Sequence, residues 1–266
     1  MKKIITSTLI LLLILTAAGC KDDSNPVPPV IEEQLPAFKA GEMFLAGAKL
    51  TLYADDSLRA GYNKLYLKIA DSARGSILSD VELQVTPVMH MMTHTHSSPI
   101  IQPEICTCGL SPFGGVFQMP SGDMGEWSLR FTLTNRALNR TEIGSMPVTV
   151  LNTSNVKVVT GSDGTSYVLT YVPIKTPKVG INDISFYLHK RETMMEWPAV
   201  TNAQIIMTPD MPSMGHGSPN NVNPVHAQNG EYKGKVNFTM TGEWRITCQV
   251  NSGSDSLFTS SFNINF

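Results

Sequence analysis

The chain repeats itself, and that repeat limits the folds open to it more than any other feature. Leu50-Thr51 precedes Gly61-Tyr62-Asn63-Lys64-Leu65-Tyr66-Leu67, and Leu169-Thr170 precedes Gly180-Ile181-Asn182-Asp183-Ile184-Ser185-Phe186 at the same spacing. Thr86-Pro87 answers Thr208-Pro209, and Met89, Met92 and His94 answer Met211, Met214 and His216. Gly125-Glu126-Trp127 answers Gly242-Glu243-Trp244. Only the loop lengths differ, so both halves must fold on one plan.

That plan is built of strands. Leu65–Ile69, Val81–Val85 and Trp127–Leu133 alternate apolar with polar residues, as do Ile184–Leu188, Val236–Phe238 and Trp244–Cys248. A period of two with β-branched and aromatic residues marks half-buried strands, and no long stretch carries a helical period. Several such strands in roughly 110 residues, separated by Gly, Pro, Asn and Asp turns, predict an immunoglobulin-like β-sandwich. The expected class is all-β, with two tandem sandwiches over 41–152 and 153–266. Trp127 and Trp244 each open an alternating strand and are expected as core anchors. Cys248 falls on the same face as Trp244 and reads as a small buried hydrophobe.

Ahead of the repeat, Lys2-Lys3, an apolar run from Ile4 to Leu15 and Ala17-Ala18-Gly19-Cys20 describe a secretory signal over 1–19. The cysteine directly after Ala-Ala-Gly resembles the bacterial lipobox, which implies cleavage before a lipidated Cys20 and a membrane contact through that anchor. Lys21-Asp22-Asp23 resembles the surface-export signal of lipoproteins in the Bacteroidetes, although a generic solvated tether reads the same way. Residues 20–40 then carry Pro26, Pro28, Pro29 and Pro36, a stiff spacer. The expected location is the cell envelope, lipid-anchored at the outer membrane, with the periplasmic and the external face both open. Without 1–19 the formal charge moves from −2 to −4, because Lys2 and Lys3 are lost. No basic tract remains to follow a phosphate backbone, so nucleic acid is not an expected partner.

Chemistry-bearing residues are concentrated in one place per copy. From Met89 to His96 the sequence is Met-His-Met-Met-Thr-His-Thr-His, in a chain with only 14 Met and 6 His in all. The second copy has Met211-Pro212-Ser213-Met214-Gly215-His216, with Met207 upstream and His226 and Met240 downstream. Methionine usually fills core gaps, but adjacent methionines, and methionines in a Gly/Pro-rich segment, read as loop positions. Met207 and Met240 also fit strands, where core and ligand readings stand side by side. Thioethers suit Cu(I), imidazole binds copper in either oxidation state, and neither is a preferred donor set for Ca²⁺. The expected ligands are Met211, Met214, His216 and Met240 in the second copy, and Met89, Met92, His94 and His96 in the first. Cys106 and Cys108 sit one residue apart, a spacing that disfavours an unstrained disulfide, so thiolate ligands are expected there; free thiols are the other reading.

The second copy resembles the YtkA-like domain through Met-x-x-Met-Gly-His-Gly, Gly230-Glu231-Tyr232 and Phe238-Thr239-Met240-Thr241-Gly242-Glu243-Trp244. The resemblance implies a relation to the FixH family of copper-handling accessory proteins and a sandwich reminiscent of the copper carrier CopC. It points to Met211, Met214 and His216, with Met240, and through the repeat to Met89, Met92 and His94. In the first copy the strand is altered to Val116-Phe117-Gln118-Met119-Pro120. The sequence carries no Gly-x-Ser-x-Gly elbow, phosphate loop or His-Glu-x-x-His, so no enzyme is expected. The expected function is an envelope-anchored Cu(I) chaperone or scavenger that passes copper to a transporter or to a cuproenzyme under assembly. The alternative is a surface adhesin or scaffold, whose loops bind another protein and which has no need of Met/His enrichment.

Overall fold

The structure, a computed structural model, describes residues 35–266. The expected signal segment, the anchor Cys20 and most of the proline-rich spacer lie outside the described residues. Within them the chain is all-β. The first copy holds β1 (Phe38–Leu45), β2 (Ala48–Ala54), β3 (Gly61–Asp71), β4 (Val81–His90), β5 (Thr95–Ser97), β6 (Ile100–Ile101), β7 (Ser111–Phe117), β8 (Glu126–Asn135) and β9 (Arg140–Val148). The second holds β10 (Val156–Thr160), β11 (Ser166–Val172), β12 (Gly180–Lys190), β13 (Gln204–Met211), β14 (His216–Gly217), β15 (Val222–Gln228), β16 (Glu231–Phe238), β17 (Glu243–Ser252) and β18 (Asp255–Asn265). Strand β1 begins slightly ahead of the boundary at 41 drawn from the sequence.

The two copies have one topology. In the first, a sheet ordered β1-β2-β3-β7-β6 packs on one ordered β5-β4-β8-β9. In the second, β10-β11-β12-β16-β15 packs on β14-β13-β17-β18, the same order strand for strand. All the pairings between named strands are antiparallel, and the chain changes sheets between β3 and β4 and between β12 and β13. Each copy is an immunoglobulin-like β-sandwich.

The alternation read from the sequence places the core. Leu65, Leu67 and Ile69 of β3 meet Leu129, Phe131 and Leu133 of β8, and Trp127 is buried with them. Ile184, Phe186 and Leu188 of β12 meet Trp244, Ile246 and Cys248 of β17. Each large apolar side chain so covered contributes on the order of 1.5–3 kcal/mol. Burial pushes the Cys248 thiol up to about 12, so it packs as a hydrophobe.

The repeated Gly-x-Asn is a turn device. Gly61 and Gly180 have φ of +108° and +103°, which favours glycine. Two residues on, the Asn63 amide donates to Arg59 O and Gly61 O and accepts from Arg59 N–H. Asn182 makes the same three bonds to Lys178 and Gly180. The side chain thereby fixes the bend that launches β3 and β12.

The sandwiches are joined tightly. Ala60 N–H donates to Leu151 O at 2.8 Å, and Thr153 Oγ1 donates to Ala60 O at 2.6 Å, so the connecting segment is tied to the first copy. Tyr62 stacks on Tyr187 of the second copy, with ring centroids 4.2 Å apart and planes 9° apart. Lys175 reaches Asp55 at 3.1 Å, an exposed pair of small energetic value.

Candidate metal-binding corners

Each copy closes one end of its sandwich with the same corner. In the first, β4 ends at His90, a turn closes with Met91 N–H donating to His94 O at 3.0 Å, and the short β5 returns. The register sets Met89 opposite His96 on one side and opposite Trp127 on the other. Residues directly opposite in an antiparallel pair share a face, so His96, Met89 and Trp127 form one row. In the second, Met211 is opposite His216, and the ladder of β13 with β17 ends at Asp210–Arg245, one step short of Met211 and Trp244. Met211 and Trp244 pack in the same core.

The ring geometry repeats as well. His96 meets Trp127 edge-on, with centroids 5.6 Å apart and planes at 88°. His216 meets Trp244 with centroids 5.9 Å apart and planes at 75°. His96 Nδ1 lies 2.9 Å from Ser97 O, and His216 Nδ1 lies 2.9 Å from Gly217 O. A carbonyl only accepts, so Nδ1 carries the proton and the Nε2 lone pair is left for a ligand in both copies. This is the tautomer of a metal-bound imidazole oriented by a backbone oxygen.

A second methionine is tied to each corner through its backbone carbonyl. The Trp127 indole N–H donates to Met119 O at 2.9 Å, and the Trp244 indole N–H donates to Met240 O at 3.0 Å. Met119 is half-buried against the first core, and Met240 is exposed. The glycines of Gly-Glu-Trp make room for the first methionine. Gly125 and Gly242 have φ of +145° and +127°. A Cβ on Gly242 would stand 2.8 Å from Met211 Cε, and one on Gly125 would stand 3.2 Å from Met89 Cε.

Four expectations change here. His96, not His94, is the partner of His216. The turn after Met89 is longer than the one after Met211, and the copies come back into step at His96-Ser97-Ser98-Pro99 and His216-Gly217-Ser218-Pro219. The serines confirm it, since Ser98 Oγ donates to Val116 O and Ser218 Oγ donates to Asn237 O in the two copies. His94 lies on the exposed turn, its ring 6.3 Å from that of His96.

Met89 and Met211 are not loop residues. They are 0% and 4% exposed, because strand pairing continues through them and the glycine corner gives each a pocket. Met92 and Met214 are the loop methionines, 97% and 59% exposed. Met207 is a core residue paired with Cys248.

Cys106 and Cys108 form a disulfide, so they offer no thiolates in this state. The chain there is a turn rather than an extended strand, with Gly109 at φ +95°, and it brings the Cα atoms to 5.2 Å. The argument from opposed Cβ vectors holds only for an extended backbone.

Met119, beside the first corner, is a thioether that the sequence did not single out. Its signal was the shared spacing of Phe117-Gln118-Met119 and Phe238-Thr239-Met240. Trp127 and Trp244 anchor the cores, and each also packs edge-on against the corner histidine. Among the described residues no three His, Cys, Asp or Glu side chains gather at one point.

Residues 160–249 match the YtkA-like family model. The YtkA-like match lies in the second sandwich and takes in Met211, Met214, His216, Met240 and Trp244. No curated protein matches the chain significantly. Among solved structures, the Escherichia coli adhesin FdeC is similar at 13% identity over 84% of this chain and 65% of that one, with a TM-score of 0.27. Invasin, a bacterial integrin-binding protein, is similar at 13% identity over 82% of this chain and 39% of its own, with a TM-score of 0.27. Domains 5–6 of the S-layer protein SbsC are similar at 10% identity over 84% of this chain and 97% of that one, with a TM-score of 0.29. The chain thus spans less than two thirds of FdeC and of invasin, and likeness at this level carries no argument about function.

Proposed function

We propose that the protein is an envelope-anchored Cu(I)-binding chaperone or scavenger with one soft-metal corner in each sandwich. The observation that carries this reading is the repeated histidine. In both copies Nδ1–H is spent on a backbone carbonyl, Nε2 is left with its lone pair, and the ring lies beside a buried methionine and edge-on to a tryptophan. The donors fit the ion: thioether sulfur and neutral imidazole are soft or borderline ligands and need no deprotonation to bind Cu(I). Met89, His96 and Met119 would hold it in the first copy, and Met211, His216 and Met240 in the second. The exposed Met92, His94 and Met214 sit on the adjoining turns, where they would meet an arriving ion first.

Anchoring through Cys20 would hold both corners at the envelope, where copper is handed to a transporter or to a cuproenzyme under assembly. The YtkA-like match and the signal-like leader support this placement.

Trp127 and Trp244 offer a direct test of the site. Stepwise addition of Cu(I), or of redox-inert Ag(I), to the full chain in detergent is expected to quench tryptophan emission with a break at two equivalents. Emission that stays flat through excess metal would overturn the corner as a binding site. For the role itself, a strain lacking the protein is expected to lose copper tolerance or cuproenzyme activity; normal values of both would reject it.

A further inference from the structure

We infer that the first corner is an inter-domain site: the second sandwich lends it a thioether from Met194-Met195, a donor that the second corner does not receive. This inference rests on the Cu(I) reading above and deepens it. The loop between β12 and β13 is closed by Glu192 N–H donating to Glu196 O at 3.0 Å, and Met194-Met195 lies at its tip. From that tip, Met194 O accepts the Ser97 N–H at 2.8 Å. Ser97 is also the residue whose carbonyl holds His96 Nδ1. One residue therefore binds the methionine tip through its N–H and orients the ligand histidine through its C=O.

Three further observations agree. His96 is 7% exposed, whereas its counterpart His216, without a neighbouring sandwich over it, is half-buried. Met194 and Met195 remain 41% and 37% exposed, and neither belongs to the second core. The equivalent loop of the first copy, residues 72–80, contains no Met or His. At the second corner Gly217 takes the place of Ser97, paired with Asp210 as Ser97 is with Val88. Met194 Sδ rests 4.0 Å from Arg191 Nη1, a weak contact that a soft cation would replace.

The two corners are therefore unequal. The first, with an added sulfur donor, retains Cu(I) more tightly and ties the sandwiches together when loaded. The second, more open, is the one that exchanges metal.

The test is anaerobic competition of the full chain in detergent against a Cu(I) chelator, with His216→Ala silencing the second corner. In that background Met194→Leu plus Met195→Leu, which keeps apolar bulk and the backbone hydrogen bond, is expected to weaken the remaining site about tenfold or more. X-ray absorption at the copper edge should show fewer sulfur neighbours. In a His96→Ala background the same pair of leucines should leave the second site unchanged. Unaltered affinity and sulfur count in the His216→Ala background would overturn the inference and leave the Cu(I) reading standing. Failure of the unsubstituted chain to take Cu(I) from the chelator would overturn both.

Discussion

Met89 and Met92 are three positions apart, and Met211 and Met214 repeat that spacing, yet the members of each pair live in different environments. The first is the last inward-facing residue of a strand, closed over by a glycine corner; the second stands in water. Met89→Ala or Met211→Ala should therefore cost about 2–5 kcal/mol, as core truncations do. Met92→Ala and Met214→Ala should fall within roughly 0.5 kcal/mol of the parent. Denaturant unfolding of the four variants checks this, and equal losses in all four would contradict the assigned burial. The sequence showed the cluster of methionines and histidines plainly. It did not show which methionine ended the strand, since that depends on how far β4 and β8 stay paired.

The glycine corners illustrate what an element requires. At Gly242 an added Cβ meets only the flexible end of Met211, but at Gly125 it meets the backbone oxygen of His90 at 2.4 Å. Both positions also carry a positive φ, worth on the order of 1–3 kcal/mol against a side chain. Gly125→Ala is thus expected to destabilise more than Gly242→Ala, with the difference visible as a larger fall in the melting temperature. A smaller loss at Gly125 would contradict the geometry.

Hairpin length was the part of each element hardest to read. The strands followed from alternation, and the turn at Gly61 and Gly180 from a shared Gly-x-Asn. The alignment slipped at the β4–β5 turn because Met-x-x-Met-x-His matches in both copies without a gap. The shorter His-x-Ser-Pro match, two residues further on, was the correct guide, because its serine bonds the opposite sheet. The cysteine pair was misread for a related reason: side-chain direction was taken from an extended backbone in a segment that turns.

At the scale of the whole molecule, the seam between the sandwiches has its own titration. His189 is 4% exposed on β12, next to Tyr187 and facing Ile100, Gly114 and Val116 of the first copy. Burial lowers it from 6.5 to about 4. A base that is harder to protonate when folded takes up fewer protons than the unfolded chain between those two values. Its contribution is therefore present above pH 6.5 and is lost as the pH falls toward 4. Stability should drop by up to a few kcal/mol across that window. His189→Phe should flatten that part of the profile; an unchanged slope would reject His189 as its source.

Two sandwiches and their tryptophan anchors were legible from the repeat. The seam was not, because it joins residues far apart in sequence with no periodic sign of facing one another. The central claim concerns the two corners, and counting Cu(I) against a chelator under anaerobic conditions, with a reductant too mild to open the Cys106–Cys108 disulfide, tests it most directly. The full chain is expected to compete for two equivalents, His96→Ala and His216→Ala for one each, and the double variant for none. Undiminished competition in the double variant, or no competition by the parent chain, would contradict it.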